Sequence, residues 1–179
     1  MSGIISKKLI FILGGARSGK SSWALHYAES NYEKLLFVAT AEITDEEMAN
    51  KVRLHKESRG DNWRLLEEPL DIAKVIKDGF IETDVILIDC MTIWLNNVLF
   101  KRGEDTAELY VKNFIEALKS RSNAVIIVAN EVGTGVVPEH KSGRVFRDLA
   151  GRLNQRIAAV ADRVVYIIAG IPLDVKGGE

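Results

Sequence analysis

The 179 residues carry 24 lysines and arginines against 25 aspartates and glutamates, a net charge of -1, so no global field draws the chain to nucleic acid or to an anionic membrane. Hydrophobic residues make up 47 % and charged residues 27 %, a balance that excludes disorder, and the length suits one core, so a single domain over residues 1–179 is expected. The lone cysteine, Cys90, allows no internal disulfide, no Cys/His cluster has zinc spacing, and no apolar run approaches the ~20 residues that span a bilayer, which together suit a cytoplasmic protein.

The first apolar run, residues 9–13, is too short for a signal h-region and has no small-residue cleavage site behind it. Together with residues 35–39, 85–88, 124–129 and 164–169 it gives five runs that are apolar on both alternating faces, the pattern of strands covered on both sides. A mostly parallel central sheet follows. Parallel neighbours need crossovers, and the intervening stretches have helical spacing, so the expected class is three-layer α/β. Thr44 and Glu47 form a capping box that launches a helix toward residue 58, with Met48, Val52, His55 and Arg59 on one face. Further helices are expected over residues 106–121, with Leu109, Phe114, Ile115 and Leu118 apolar, and over 142–161. Residues 133–138 read as an irregular loop and the Gly-rich tail beyond Gly170 as loose.

The segment Gly14-Gly15-Ala16-Arg17-Ser18-Gly19-Lys20-Ser21 fits G-x-x-x-x-G-K-[ST], between an expected strand and an expected helix. Glycines let successive amides turn inward around phosphate oxygens at a helix N-terminus, Lys20 adds charge for the outer phosphates, and Ser21 offers a hydroxyl to Mg²⁺. The run 85–88 ends in Asp89, an acid placed to approach that metal, although strands also end in Asp where a turn begins. Glu131 follows the run 124–129; it suits either orientation of an acceptor hydroxyl or capping of its own loop.

Of the three histidines, His55 shares its helix with Lys51, Arg53, Lys56 and Arg59, cations that suit a phosphate-rich ligand. A neutral imidazole can attack phosphorus and form a labile phosphoramidate, whereas periodicity alone makes His55 an ordinary residue of an amphipathic basic helix. His26, beside Trp23 and Tyr27, reads as packing, and His140 lies in a polar loop.

The phosphate motif, Val38-Ala39-Thr40-Ala41, the acidic run Asp45-Glu46-Glu47-Met48 before His55-Lys56, Trp63-Arg64 with Glu67, and Asp89-Cys90-Met91-Thr92 follow one another in a telling order. Asn130-Glu131-Val132-Gly133, Val137-Pro138-Glu139 and Phe146-Arg147-Asp148-Leu149-Ala150-Gly151-Arg152-Leu153-Asn154-Gln155 complete it. In order and spacing, over almost the whole chain, these blocks resemble the bifunctional adenosylcobinamide kinase / adenosylcobinamide-phosphate guanylyltransferase family of cobalamin biosynthesis.

The resemblance implies a P-loop NTPase-like (RecA-like) fold and two reactions: phosphorylation of adenosylcobinamide with GTP or ATP, then transfer of GMP to that phosphate with release of pyrophosphate. His55 matches the family histidine that becomes guanylylated, and with Lys20 it forms the implied catalytic set. Ala39, Thr40, Ala41, Lys56, Glu57, Ser58, Arg59, Glu67 and Asp89 match nucleotide contacts, with Mg²⁺ on Ser21 and Asp89. A carboxylate at Glu67 could accept from the N1 and N2 donors of guanine. Some relatives carry Glu where this chain has the shorter Asp89. The resemblance also implies a homotrimer or other homo-oligomer. Two other readings share the phosphate motif: a kinase of another small metabolite, which leaves His55 idle, and a regulatory GTP-binding protein, for which the Asn-Lys-x-Asp signature is missing.

Overall fold

In the computed structural model, which describes residues 7–41, 63–80 and 82–178, the apolar runs lie side by side in one seven-stranded sheet. They form β1 (Leu9–Gly14), β2 (Leu35–Ala39), β4 (Val85–Asp89), β5 (Ala124–Asn130) and β6 (Arg163–Ile168), joined by β3 (Trp63–Glu67) and β7 (Ile171–Lys176). The order is β3-β2-β4-β5-β1-β6-β7, and every pair is parallel except the antiparallel hairpin of β6 and β7.

The helices are α1 (Lys20–Asn31), α2 (Ile72–Asp78), α3 (Met91–Arg102), α4 (Glu104–Lys119) and α5 (Lys141–Val160). Strand alternation divides the core between two faces. Ile10, Ile12, Phe37, Leu87, Ile126 and Val128 pack toward Ala24 and Ala28 of α1, while Leu9, Phe11, Ile86, Ile88, Val125 and Ile127 pack toward α2 to α5. Both faces are covered, which is why these strands read as unbroken apolar runs. Trp94, Phe11 and Phe114 are the largest fully buried side chains, and each contributes roughly 2–3 kcal/mol of hydrophobic stabilisation.

Three expectations are corrected. The tail is not loose: Ile171–Lys176 is a strand, held by the Arg163 guanidinium donating to both carboxylate oxygens of Asp174 at 2.6 and 3.0 Å. Its Pro172 is tolerated because β7 is an edge strand. Leu109 does not serve the apolar side of α4; it is more than half exposed, and Ala107 and Val111 join Phe114, Ile115 and Leu118 instead. The sheet also has more strands than the five runs, since β3 and β7 add edges. The capping box at Thr44 and Glu47, and the helix expected from it, lie outside the described residues.

Candidate active site

β1 ends at Gly14 and α1 begins at Lys20, so residues 15–19 turn the chain at the C-terminal edge of the sheet. A Cβ on Gly14 would stand 2.5 Å from the Ile167 carbonyl oxygen and 2.7 Å from Ser18 Oγ; only glycine lets β1 pass this close to β6. Gly19 caps α1 in the left-handed region, with φ 94°. Neither a capping side chain nor an acidic residue of the first turn competes for the amides at the start of α1. They are left to an anion, at the positive end of the helix dipole.

The loop is held from outside as well. The Ser18 N–H donates to Gly15 O at 3.3 Å, and the Gly170 N–H, from the β6–β7 turn, donates to Ser18 O at 2.8 Å. Ala16 and Arg17 stand exposed at the rim, Arg17 with a left-handed φ of 55°. Lys20 folds back over the loop, its Nζ donating to Gly15 O at 2.6 Å and to Ser18 Oγ at 3.4 Å. Burial holds its pKa below the ordinary lysine value, against the attraction of Asp89 and Cys90. An incoming phosphate would restore the charge compensation that burial removes.

Asp89 ends β4, two strands from β1 and so roughly 10 Å away across the sheet edge. It shares the α1 face with Leu87, on the same side as Lys20. Ser21 is half-buried in the first turn of α1. Ser21 and Asp89 supply oxygen donors without a cage, and among the described residues no group of three or more His, Cys, Asp or Glu could hold a metal. That donor set fits Mg²⁺, which keeps several waters and takes much of its shell from phosphate.

Thr40 has a structural role in the sheet edge. It is fully buried, its N–H donates to Asp89 O at 3.3 Å, its carbonyl accepts from Asn97 Nδ2 at 2.8 Å, and its hydroxyl is shared with the Cys90 backbone. Through these bonds it fixes the ends of β2 and β4. Ala39 is buried and Ala41 half-buried beside it. Glu67 is exposed at the end of β3, in register with Ala39 and four strands from β1, roughly 19 Å along the edge. His55, Lys56, Glu57, Ser58 and Arg59 lie outside the described residues. Glu131 donates its N–H to Gly14 O at 3.0 Å, while its carboxylate accepts the Gly133 N–H at 2.5 Å, the loop-capping alternative. Sequence reasoning missed Asn97, Gly170 and Asn154, whose bonds join residues far apart in the chain and become visible only through sheet register.

A cavity of about 350 Å³ lined by Lys7, Thr83 and Asn123 lies at the opposite, N-terminal edge of the strands, away from the phosphate loop. In open parallel sheets ligands gather at the C-terminal edge, where the loop and Asp89 lie.

Residues 10–175 match the cobinamide kinase / cobinamide phosphate guanyltransferase family. The chain belongs to that family. It is 34 % identical to the bifunctional adenosylcobalamin biosynthesis protein CobU of Escherichia coli over 94 % of this chain and 99 % of that protein. It is 37 % identical to the CobP protein of the same description from Pseudomonas aeruginosa, over 93 % and 96 %. Among solved structures it is similar in fold to the flagellar accessory protein FlaH of Methanocaldococcus jannaschii, with a TM-score of 0.51 at 16 % identity, covering 97 % of this chain and 81 % of that one. The type III secretion ATPase EscN of enteropathogenic E. coli gives 0.55 at 13 %, over 91 % of this chain and 43 % of that one. The family member thus has the three-layer P-loop NTPase-like, RecA-like fold. Among its described residues no helix is long and apolar enough to cross a membrane.

Proposed function

We propose that this chain phosphorylates adenosylcobinamide and then converts the product to adenosylcobinamide-GDP, using GTP, or ATP in the first step. Membership of the cobinamide kinase / cobinamide phosphate guanyltransferase family carries the reading, and the phosphate loop with Lys20 and Asp89 on one face supports it.

In the first reaction the acceptor hydroxyl oxygen bonds to the γ-phosphorus while the bond to the β–γ bridging oxygen breaks. The nucleoside diphosphate leaves with that electron pair, and the hydroxyl proton passes to solvent or a nearby base. Catalysis here is positioning and charge neutralisation: the loop amides and Lys20 collect the charge that moves onto the leaving phosphate. Mg²⁺, held by Ser21 and Asp89, supplies further neutralisation when bound.

In the second reaction the His55 imidazole attacks the α-phosphorus of GTP and pyrophosphate leaves with the α–β bridging electrons. The acceptor phosphate oxygen then bonds to that phosphorus as the nitrogen–phosphorus bond breaks. Ala39, Ala41, Lys56, Glu57, Ser58, Arg59 and Glu67 belong to the nucleotide surface in this reading, with Glu67 at the guanine edge. A cytoplasmic homo-oligomer, the trimer included, belongs to it too; the outer face of β7, where Ile171, Leu173 and Val175 are more than half exposed, supports association.

Intact mass after incubation with GTP and Mg²⁺ tests the covalent step. The expected result is a gain of one GMP, abolished in His55→Ala, with some kinase activity retained. An unchanged mass while GTP is bound, or undiminished labelling of the variant, overturns the guanylyl-histidine.

A further inference from the structure

β5 ends on Asn130, and Glu131 follows immediately beyond the strand. β5 lies between β1 and β4, with Gly14 opposite Asn130 and Asp89 opposite Val128. Ala124, Ile126 and Val128 pack on the α1 face and Val125, Ile127 and Ala129 on the other. The alternation carries Asn130 to the α1 face, which Lys20 and Asp89 share, whereas Glu131, past the end of the strand, turns its carboxylate onto the Gly133 N–H.

The backbone of Asn130 is fixed from three directions. Its N–H donates to Thr92 Oγ1 at 2.8 Å, its carbonyl accepts from the buried Asn154 at 3.4 Å, and the next N–H closes onto Gly14 O at 3.0 Å. Among the described residues its side-chain amide has no hydrogen-bond partner, and neither amide atom is buried from solvent. A rigid strand end thus presents an uncommitted amide between the phosphate loop and the β4 acid.

We propose that Asn130 donates its side-chain N–H to an oxygen of the γ-phosphate held in the loop and keeps that bond as charge shifts during phosphoryl transfer. Asn130 is then a catalytic residue of the kinase step, and Thr92 and Asn154 are its positioning residues. An amide suits the place, because a carboxylate there would repel the phosphate and Lys20 already supplies the cation. The inference rests on the kinase reading given above.

The test compares wild type, Asn130→Ala, Asn130→Asp and Glu131→Gln, each checked for unchanged thermal unfolding. Titrations use GDP and a GTP analogue with a methylene bridge between β- and γ-phosphorus; steady-state assays measure phosphorylation of adenosylcobinamide. Asn130→Ala is expected to weaken the analogue about tenfold, leave GDP unchanged and lower kcat about 100-fold. Asn130→Asp, of the same size, should weaken the analogue further, and Glu131→Gln should stay within about threefold of wild type in all three measurements. Asn130 variants that bind the analogue as wild type does, or that lose GDP equally, overturn the proposal, as does a larger kcat loss in Glu131→Gln. A wild type that binds both nucleotides but does not phosphorylate the acceptor overturns the kinase reading, while the selective effect on the analogue still reports the γ-phosphate contact.

Discussion

The Thr40 hydroxyl holds both polar groups of the Cys90 backbone, donating to its carbonyl at 2.8 Å and accepting its N–H at 2.9 Å. The carbonyl also accepts from Trp94 N at 3.1 Å, so loss of the hydroxyl strands chiefly the N–H. Thr40→Val, which keeps the shape, is expected to destabilise the fold by roughly 1–3 kcal/mol, and Thr40→Ser to recover most of it. Urea unfolding of the two variants measures this; equal midpoints would show that the bridge contributes nothing.

Gly14→Ala places a methyl group against backbone it cannot displace, the Ile167 carbonyl at 2.5 Å. The strain should cost about 1–3 kcal/mol and pull β1 from β6, carrying the phosphate loop with it. Calorimetry and GTP titration should therefore report losses together. Weakened binding with unaltered stability would contradict the packing argument.

Lys20 is only 6 % exposed, and burial depresses its pKa, so the apo fold carries a charge it solvates poorly. Lys20→Met is expected to unfold at the same temperature as wild type or above it while losing triphosphate affinity. A fall in both would mean that the bond to Gly15 O outweighs the desolvation.

Burial, with Asp89 adding to it, pushes the Cys90 thiol from 9.0 up to about 11. Between those values the folded chain retains a proton that the unfolded chain releases. The stability contribution is present in full below pH 9 and is lost as pH rises toward 11, by roughly 3 kcal/mol at most. Tyr32, raised to about 12 mainly by burial, acts with the same sign at higher pH. Denaturation midpoints across this range should fall in wild type and fall less in Cys90→Ala; parallel slopes would remove Cys90 as the cause.

The central strands were legible because burial on both faces leaves an unbroken apolar signature, and the phosphate loop because its geometry demands glycine and lysine at fixed spacing. β3 was not, since Trp63-Arg64-Leu65-Leu66-Glu67 is an edge strand with only partly buried apolar side chains. β7 was hidden by Pro172 and the trailing glycines, although Ile171, Leu173 and Val175 alternate as a strand should. Thr40 was matched to a nucleotide contact through the resemblance to the family, and nothing local tells that Cys90, fifty residues on, occupies its hydroxyl. Asn130 and Glu131 are adjacent letters; only the end of β5 between them, and the loop contact of the Glu131 carboxylate, distinguish them.

The clip from Gly170 to the carbonyl of Ser18 sets an order on biosynthesis. β1 has no partner until β5 emerges, and its other neighbour, β6, follows later still. A growing polypeptide thus carries its nucleotide loop unfinished through most of translation, and a product that stops before residue 170 cannot close it. A fragment that stops earlier still, before β6 begins at Arg163, would offer the apolar edge of β1 to other chains.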